Sequence, residues 1–125
     1  MKILIIEDDV PVAEMAVILL TQAGCHVSVA HTGKEGMRLA QETRFDLITL
    51  DIDLPDSDGY QVCREIKQRH FSRHTPIIFM SGRSLEEDIQ RGLELGAVDY
   101  IPKPFGASDF VRRIFARVNP VAATT

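Results

Sequence analysis

Apolar residues along the chain follow two alternating spacings, and each spacing predicts a different element. Five short runs are dense in apolar residues: KILII (2–6), HVSVA (26–30), FDLITL (45–50), PIIFMS (76–81) and VDYIP (98–102). The first, third and fourth runs are almost unbroken, as in strands that are covered on both faces of a sheet. These runs therefore predict five β-strands.

The segments between the runs carry apolar residues at helical spacing. Before the second run, one apolar stripe consists of Val12, Ala16, Leu19, Leu20 and Ala23. Gly24 ends this first helix, while Thr32 with Glu35 and Ser84 with Glu87 mark the starts of two others as capping boxes. After the first, we expect helices over about 32–43, 59–69, 85–96 and 107–118.

Strands and helices alternate strictly, with short connections. This (βα)5 order predicts a parallel five-stranded sheet with helices on both faces, because parallel strands need crossover connections. We expect one domain over residues 1–119 and a flexible tail over residues 120–125. Ligands of such sheets bind outside the carboxyl ends of the strands, so the polar residues there are the candidates for function.

Composition narrows the class of protein. A net charge of -4 argues against direct binding of nucleic acid. No apolar stretch approaches the roughly 18 residues of a membrane span, and no signal peptide is recognisable. The two cysteines, Cys25 and Cys63, lie far apart and form no CxxC pattern, which favours reduced thiols. We expect a soluble cytoplasmic protein with no membrane association.

Carboxylates follow two strands that are predicted to be neighbours. The first strand runs into Glu7 and Asp8, and the third ends at Asp51. Three carboxylates at one edge repel each other unless a cation is bound, and oxygen ligands favour magnesium, or manganese in its place. Asp9 is expected to cap the first helix instead.

Two further side chains reach the same edge. Ser81 ends the fourth strand and Lys103 follows the fifth, so a hydroxyl and an ammonium group join the carboxylates. The Lys103–Pro104 bond is a candidate for a cis peptide. Of the other acidic residues near Asp51, Asp56 is expected in the turn that begins at Pro55, and Asp58 at the start of the third helix.

Together these residues resemble the receiver domain of response regulators in two-component signalling. The resemblance covers essentially the whole chain and is carried by KILIIEDD, LITLDIDLPDSDG, IIFMSG and GAVDYIPKPF. It implies a flavodoxin-like three-layer α/β fold with strand order 2-1-3-4-5. It also implies that Asp51 accepts a phosphoryl group from a histidine kinase or a phosphotransfer protein, and that the chain is no enzyme beyond its own phosphorylation and dephosphorylation.

The same resemblance implies roles around the acceptor. The implied metal ligands are Glu7, Asp8, Asp51 and the backbone carbonyl of Asp53. Ser81 and Lys103 would contact the phosphoryl oxygens. Tyr100 would then follow Ser81 from an exposed to a buried position, which changes the partner affinity of the face made by helix 4, strand 5 and helix 5. That face is also a candidate homodimer interface.

Two residues, Asp53 and Gly82, depart from the usual pattern of this family, and Arg83 is a candidate partner of the first. Asp53 is an acid two residues past Asp51, and Arg83 lies two residues past Ser81. We hypothesise that these two side chains pair and gate the access of water to the phosphoryl group. Gly82 stands where the family often has alanine, which would leave the site open and the phosphoryl group short-lived.

Two other functions are compatible with parts of the sequence. The DID of ITLDIDLP resembles the DxD motif of haloacid-dehalogenase-like phosphatases, with Asp51 as nucleophile and Asp53 as acid and base. That motif normally ends the first strand of its fold, whereas here it follows the third. A receiver-like binding module that is never phosphorylated is the second alternative, and the intact set of acidic, hydroxyl and ammonium groups disfavours it.

Overall fold

The predicted alternation of elements is confirmed by a computed structural model, which describes residues 1–83 and 85–118. The strands are β1 (Lys2–Ile6), β2 (His26–Ala30), β3 (Leu47–Leu50), β4 (Ile77–Ser81) and β5 (Asp99–Pro102). The helices are α1 (Val10–Gln22), α2 (Gly33–Glu42), α3 (Gly59–Gln68), α4 (Glu86–Glu94) and α5 (Ala107–Val118). The tail expected over 120–125 lies outside the described residues.

The five strands form one parallel sheet in the order β2-β1-β3-β4-β5. Residues of β1, β3 and β4 are buried almost without exception, whereas the edge strands β2 and β5 keep exposed positions. This burial explains why only three of the five apolar runs are nearly continuous. The order confirms the flavodoxin-like fold.

Each face of the sheet has its own core. On one face, α2, α3 and α4 cover a cluster that includes Leu50, Tyr60 and Phe79. On the other, α1 and α5 cover a cluster that includes Ile5 and Phe110. Two helical layers therefore enclose the sheet in the predicted three-layer sandwich, and the carboxyl ends of β1, β3 and β4 meet at one edge.

Several helix starts follow the predicted capping. Asp9 accepts a hydrogen bond from the Val12 amide at 3.2 Å, and Thr32 accepts one from the Glu35 amide at 3.1 Å. Each side chain satisfies a helix amide that has no partner within its own helix. At α4, however, the capping residue is Leu85, without a side-chain hydrogen bond. The predicted cap, Ser84, lies outside the described residues.

The predicted apolar stripe of α1 is wrong at its carboxyl end, where it includes Ala23. Its buried residues are Ala13, Ala16 and Leu20, while Ala23 is exposed. Ala23 follows the last helical residue and precedes Gly24, which has a φ of 92°. The chain therefore leaves the helical path there, and the spacing that placed Ala23 on the stripe no longer applies. In the described part of the chain, no helix is long and apolar enough to cross a membrane.

Candidate phosphorylation and metal site

Three carboxylates meet at the carboxyl edge of β1 and β3. Oxygens of Glu7, Asp8 and Asp51 all lie within 4.8 Å of one another. Glu7 and Asp51 are buried, and Asp8 is exposed at the mouth of the site. This convergence follows from the sheet order, because β1 and β3 are paired neighbours whose ends are in register.

Lys103 places its ammonium group between two of these carboxylates. Its Nζ lies 2.5 Å from Glu7 Oε1 and 3.1 Å from Asp51 Oδ2. The Lys103–Pro104 peptide bond is cis, as predicted. Burial lowers the pKa of Lys103, but the two carboxylates outweigh burial and raise it, so the ammonium form is retained.

The surroundings of Glu7 disfavour its ionised form. Burial and the neighbouring Asp51 carboxylate together raise the pKa of Glu7 to about 7, although Lys103 acts in the opposite direction. The Glu7 backbone carbonyl bonds with His31 Nδ1 at 2.9 Å, and Glu7 Oε2 accepts a hydrogen bond from the Asp9 amide at 3.2 Å. The Asp9 amide and Lys103 therefore hold the Glu7 carboxylate in place.

The donor set fits a divalent cation. Three carboxylates face one ammonium group, which leaves two negative charges when all four groups are ionised. All the donors are oxygens, which hard cations such as magnesium and manganese prefer. One of the three carboxylates, Asp8, is exposed, so the cluster is accessible to an ion from solvent.

Ser81 and Tyr100 lie together behind this edge. Ser81 is fully buried, and its Oγ accepts a hydrogen bond from the Arg83 amide at 3.1 Å. Tyr100 is only 3% exposed, and its hydroxyl donates to the Arg83 carbonyl at 2.6 Å. Burial raises the pKa of Tyr100 to about 12, so the hydroxyl stays protonated and can donate. Of the exposed and the buried position expected for Tyr100, this structure shows the buried one.

The hypothesised pair between Asp53 and Arg83 is formed. Arg83 Nη2 lies 2.6 Å from Asp53 Oδ1, and Arg83 Nε lies 3.1 Å from Asp53 Oδ2. The guanidinium group holds the pKa of Asp53 below its usual range. The pair lines a cleft of about 420 Å³ beside Asp8. A Cβ at Gly82 would meet no atom within 4 Å, so that side of the site is open as expected.

Asp56 has a role that the sequence did not reveal. Its carboxylate accepts hydrogen bonds from the Gly33 amide at 2.7 Å and the Lys34 amide at 3.0 Å, at the start of α2. These bonds hold the pKa of Asp56 below its usual range. The expected turn residue is thus a second cap for α2, beside Thr32, and it ties the loop after β3 (residues 51–58, the acceptor loop) to that helix.

The other end of the acceptor loop is also fixed. Asp58 accepts a hydrogen bond from the Tyr60 amide at 2.9 Å, as its predicted place at the start of α3 requires. The Gly59 amide donates to the Ile52 carbonyl at 2.7 Å. A Cβ at Gly59 would collide with the Asp51 carbonyl oxygen, so only glycine permits this approach of α3 to the acceptor loop. The Asp-Gly pair is the signal from which this contact was predictable.

A row of aromatic rings runs from α3 across β4 to β5. Tyr60 and Phe79 have ring centroids 5.5 Å apart, and those of Phe79 and Tyr100 are 6.1 Å apart. The Arg91 guanidinium lies 4.2 Å from the Tyr60 ring centroid, and the Tyr60 hydroxyl donates to the Asp88 carbonyl at 3.1 Å. Sequence reasoning did not identify Tyr60 or Arg91, because they come together only through the packing of α3 against α4.

The geometry disfavours a phosphatase of the DxD type. In that chemistry Asp53 would donate and accept a proton, but here Arg83 engages both of its carboxylate oxygens and favours its ionised form. Asp51 also follows the third strand rather than the first.

Comparison with known proteins agrees with this geometry. A family model of the response regulator receiver domain matches residues 3–115. The chain is 40% identical over 124 residues to YclJ of Bacillus subtilis (strain 168), an uncharacterized transcriptional regulatory protein. That match covers 99% of this chain and 53% of YclJ, so the chain spans about half the length of this relative.

Solved structures show the same fold. A two-component response regulator from Clostridium difficile has a TM-score of 0.85 at 29% identity, covering 92% of this chain and 93% of that chain. The receiver domain of a sensor histidine kinase from Pseudomonas aeruginosa, with a magnesium ion coordinated in its active-site cleft, has a TM-score of 0.83 at 32% identity. That match covers 94% of this chain and 96% of that chain. The chain therefore belongs to the response regulator receiver domains, the phosphorylated modules of two-component signalling.

Proposed function

We propose that Asp51 is the phosphoryl acceptor of this receiver domain and that magnesium, or manganese, binds beside it. The proposed metal ligands are Glu7, Asp8, Asp51 and the backbone carbonyl of Asp53. The observation that supports this proposal most strongly is the approach of three carboxylates within 4.8 Å, two of them buried, with Lys103 between them.

The chemistry follows from the groups at this edge. An Asp51 oxygen attacks phosphorus in line, the P–O bond forms as the P–N bond of a phosphohistidine breaks, and the released imidazole nitrogen takes a proton. Lys103 neutralises charge on the equatorial oxygens, and the Ser81 hydroxyl donates to one of them afterwards. When bound, the metal ion supplies further positive charge to these oxygens.

Receiver domains take their phosphoryl group from histidine kinases or phosphotransfer proteins. For this chain we propose that the acceptor site also catalyses its own phosphorylation by a small phosphodonor, because the nucleophile and the charge-neutralising lysine both belong to it. We propose further that Ser81 and Tyr100 form the switch. The α4–β5–α5 face would then change its affinity for a partner, a second copy of the chain being one candidate.

The test of Asp51 uses acetyl phosphate with magnesium and mass spectrometry of the intact protein. We expect one acid-stable, base-labile phosphoryl group per chain, which Asp51→Ala abolishes. Glu14→Ala is the control, because it removes an exposed carboxylate of α1 that lies outside the cluster of Glu7, Asp8 and Asp51. Modification that survives Asp51→Ala would overturn the proposal, and hydrolysis of a large excess of phosphomonoester would indicate a phosphatase instead.

The lifetime of the phosphoryl group tests the modulating residues. We propose that the Asp53–Arg83 pair limits the access of water and that the open space at Gly82 permits it. Asp53→Asn removes the pair and is expected to raise the rate of dephosphorylation. Gly82→Ala fills the open space and is expected to lower that rate. The decay of the phosphorylated mass measures both. Unchanged decay in both variants would contradict this role.

A further inference from the structure

All three polar groups of Arg83 are engaged at once. Its guanidinium group forms two hydrogen bonds with the Asp53 carboxylate, at 2.6 and 3.1 Å. Its amide donates to Ser81 Oγ at 3.1 Å, and its carbonyl accepts from the Tyr100 hydroxyl at 2.6 Å. Arg83, which follows β4, thus contacts both the acceptor loop and the side chain of Tyr100 in β5.

The Asp53 end of this connection is fixed. The Asp53 amide donates to Asp51 Oδ1 at 3.2 Å, and Asp53 also forms an isolated antiparallel bridge with Asp58. A bidentate ion pair between a planar guanidinium and a carboxylate restricts the relative orientation and the distance of the two groups. The ion pair therefore restrains the Arg83 backbone relative to the acceptor loop, and with it the carbonyl to which the Tyr100 hydroxyl donates.

We propose that Arg83 is a positioning residue, whose ion pair with Asp53 holds the Tyr100 acceptor in place and favours the buried position of Tyr100 before phosphorylation. The proposal rests on the proposed function, in which burial of Tyr100 is the switched state. Without the ion pair, the backbone of Arg83 is less restrained, and its carbonyl can move away from the Tyr100 hydroxyl. The pair thus lowers the cost of switching in this chain.

The size of the effect is limited by solvent. The Arg83 and Asp53 side chains are 49% and 59% exposed, and exposed ion pairs change an equilibrium by at most about fivefold. The pair therefore biases the two positions of Tyr100 without fixing one of them. High salt screens such a pair and should act in the same direction as its removal.

Thermodynamic linkage gives a second consequence. If the ion pair and the phosphoryl group favour the same state, then removing the pair must weaken the binding of a phosphoryl mimic. The loss should depend on the Tyr100 hydroxyl, because the carbonyl of Arg83 acts on the switch through that group. A merely structural contribution of Arg83 would not show this dependence.

The direct test observes the tyrosines of the protein before phosphorylation. The chain contains two tyrosines, so labelling with 3-fluorotyrosine gives two ¹⁹F resonances, and Tyr100→Phe assigns them. We expect Arg83→Gln to shift the Tyr100 resonance toward an exposed environment, and Asp53→Asn to do the same. Both variants keep the backbone carbonyl at position 83. Arg38→Gln is the matched control, because it breaks the similarly exposed Arg38–Glu42 pair.

Binding of beryllofluoride with magnesium provides the second measurement. Arg83→Gln should raise the dissociation constant about two- to fivefold, and this effect should vanish in the Tyr100→Phe background. An unchanged Tyr100 resonance in Arg83→Gln and Asp53→Asn would overturn the role of Arg83 while leaving the proposed function intact. A wild-type chain that does not bind beryllofluoride would overturn the proposed function itself, and with it the signalling role of the pair.

Discussion

At the scale of single residues, the site depends on Gly59 having no side chain. Gly59 packs against the backbone of the acceptor loop, and a Cβ there would collide with the Asp51 carbonyl oxygen and come within 2.5 Å of Ile52 Cα. Backbone atoms cannot rotate away as a flexible side chain can. The loop that presents Asp51 would therefore have to move.

Gly59→Ala is accordingly expected to lower both stability and phosphorylation. Overpacking of this kind costs about 1–3 kcal/mol of the free energy of unfolding, which urea denaturation would measure. The rate of phosphorylation by acetyl phosphate should fall as well, because Asp51 is displaced. Gly82→Ala is the control for stability, since a Cβ there meets no atom within 4 Å. Equal stability of the two variants would contradict the steric argument.

Single residues also show where sequence reasoning succeeds and fails. Carboxylates and a lysine were predicted to converge, because each lies at a strand end and parallel strands end at a common edge, and the structure brings together Glu7, Asp8, Asp51 and Lys103. The contact of Ser81 with a phosphoryl group stays a prediction. The link between Asp56 and the amides of α2 was not predictable in this way. Those amides lie 22 and 23 residues earlier in the chain, and nothing in the local spacing relates the two segments.

At the scale of elements, one arginine of α5 forms hydrogen bonds with the edge strand β5. Arg113 donates to both oxygens of Asp99, at 2.6 and 3.0 Å, and to the Tyr100 carbonyl at 3.0 Å. The side chains of Arg113 and Asp99 are largely buried, so solvent screens this ion pair less than it screens ion pairs at the surface. Burial raises the pKa of Asp99, but the bonds to Arg113 and to the Tyr100 amide outweigh burial and lower it.

Arg113→Met is expected to destabilise the protein by about 1.5–3 kcal/mol at neutral pH, because it leaves a partly buried carboxylate unpaired. Arg112→Met, which breaks the exposed pair with Asp109, should cost less than about 0.5 kcal/mol. Urea denaturation measures both. A group with a lowered folded pKa stabilises above its unfolded pKa, so the difference between wild type and Arg113→Met should narrow as acid protonates Asp99. Equal costs for the two arginines would contradict the role of Arg113.

Element type was predictable from periodicity, but element ends were less so. All ten elements of residues 1–83 and 85–118 were identified, since strands buried on both faces and amphipathic helices leave different spacings of apolar residues. The third run began at Phe45, whereas β3 begins at Leu47. Phe45 is buried all the same, so hydrophobicity marks it as core without showing where the hydrogen-bonded strand begins.

At the scale of the whole molecule, the crowded carboxylates of the site destabilise the folded state. Glu7, Asp8 and Asp51 repel one another, and Lys103 offsets only part of their charge. Folding brings these groups together, so the repulsion opposes folding whenever no cation is bound. Stability and metal affinity should consequently change in opposite directions at this site.

Asp8→Asn is expected to raise the melting temperature of the metal-free protein and to remove its response to magnesium. Wild type should gain about 1.4 kcal/mol when magnesium is at ten times its dissociation constant. Thermal unfolding with and without magnesium measures both effects. Glu42→Gln is the control, because this exposed side chain on α2 pairs with Arg38 and should leave the magnesium response unchanged. A stable Asp8→Asn that still responds fully to magnesium would exclude Asp8 as a ligand.

The anchoring of the acceptor loop has a consequence for the encounter with a partner. The amides of Asp53, Leu54 and Gly59 all donate to acceptors within the loop. Asp56, which also belongs to the loop, accepts hydrogen bonds from amides at the start of α2. In hydrogen-exchange terms, these loop amides should exchange slowly, like amides in a helix. A phosphodonor would then meet a loop already in its reactive shape, and little of the binding free energy would be lost to ordering it.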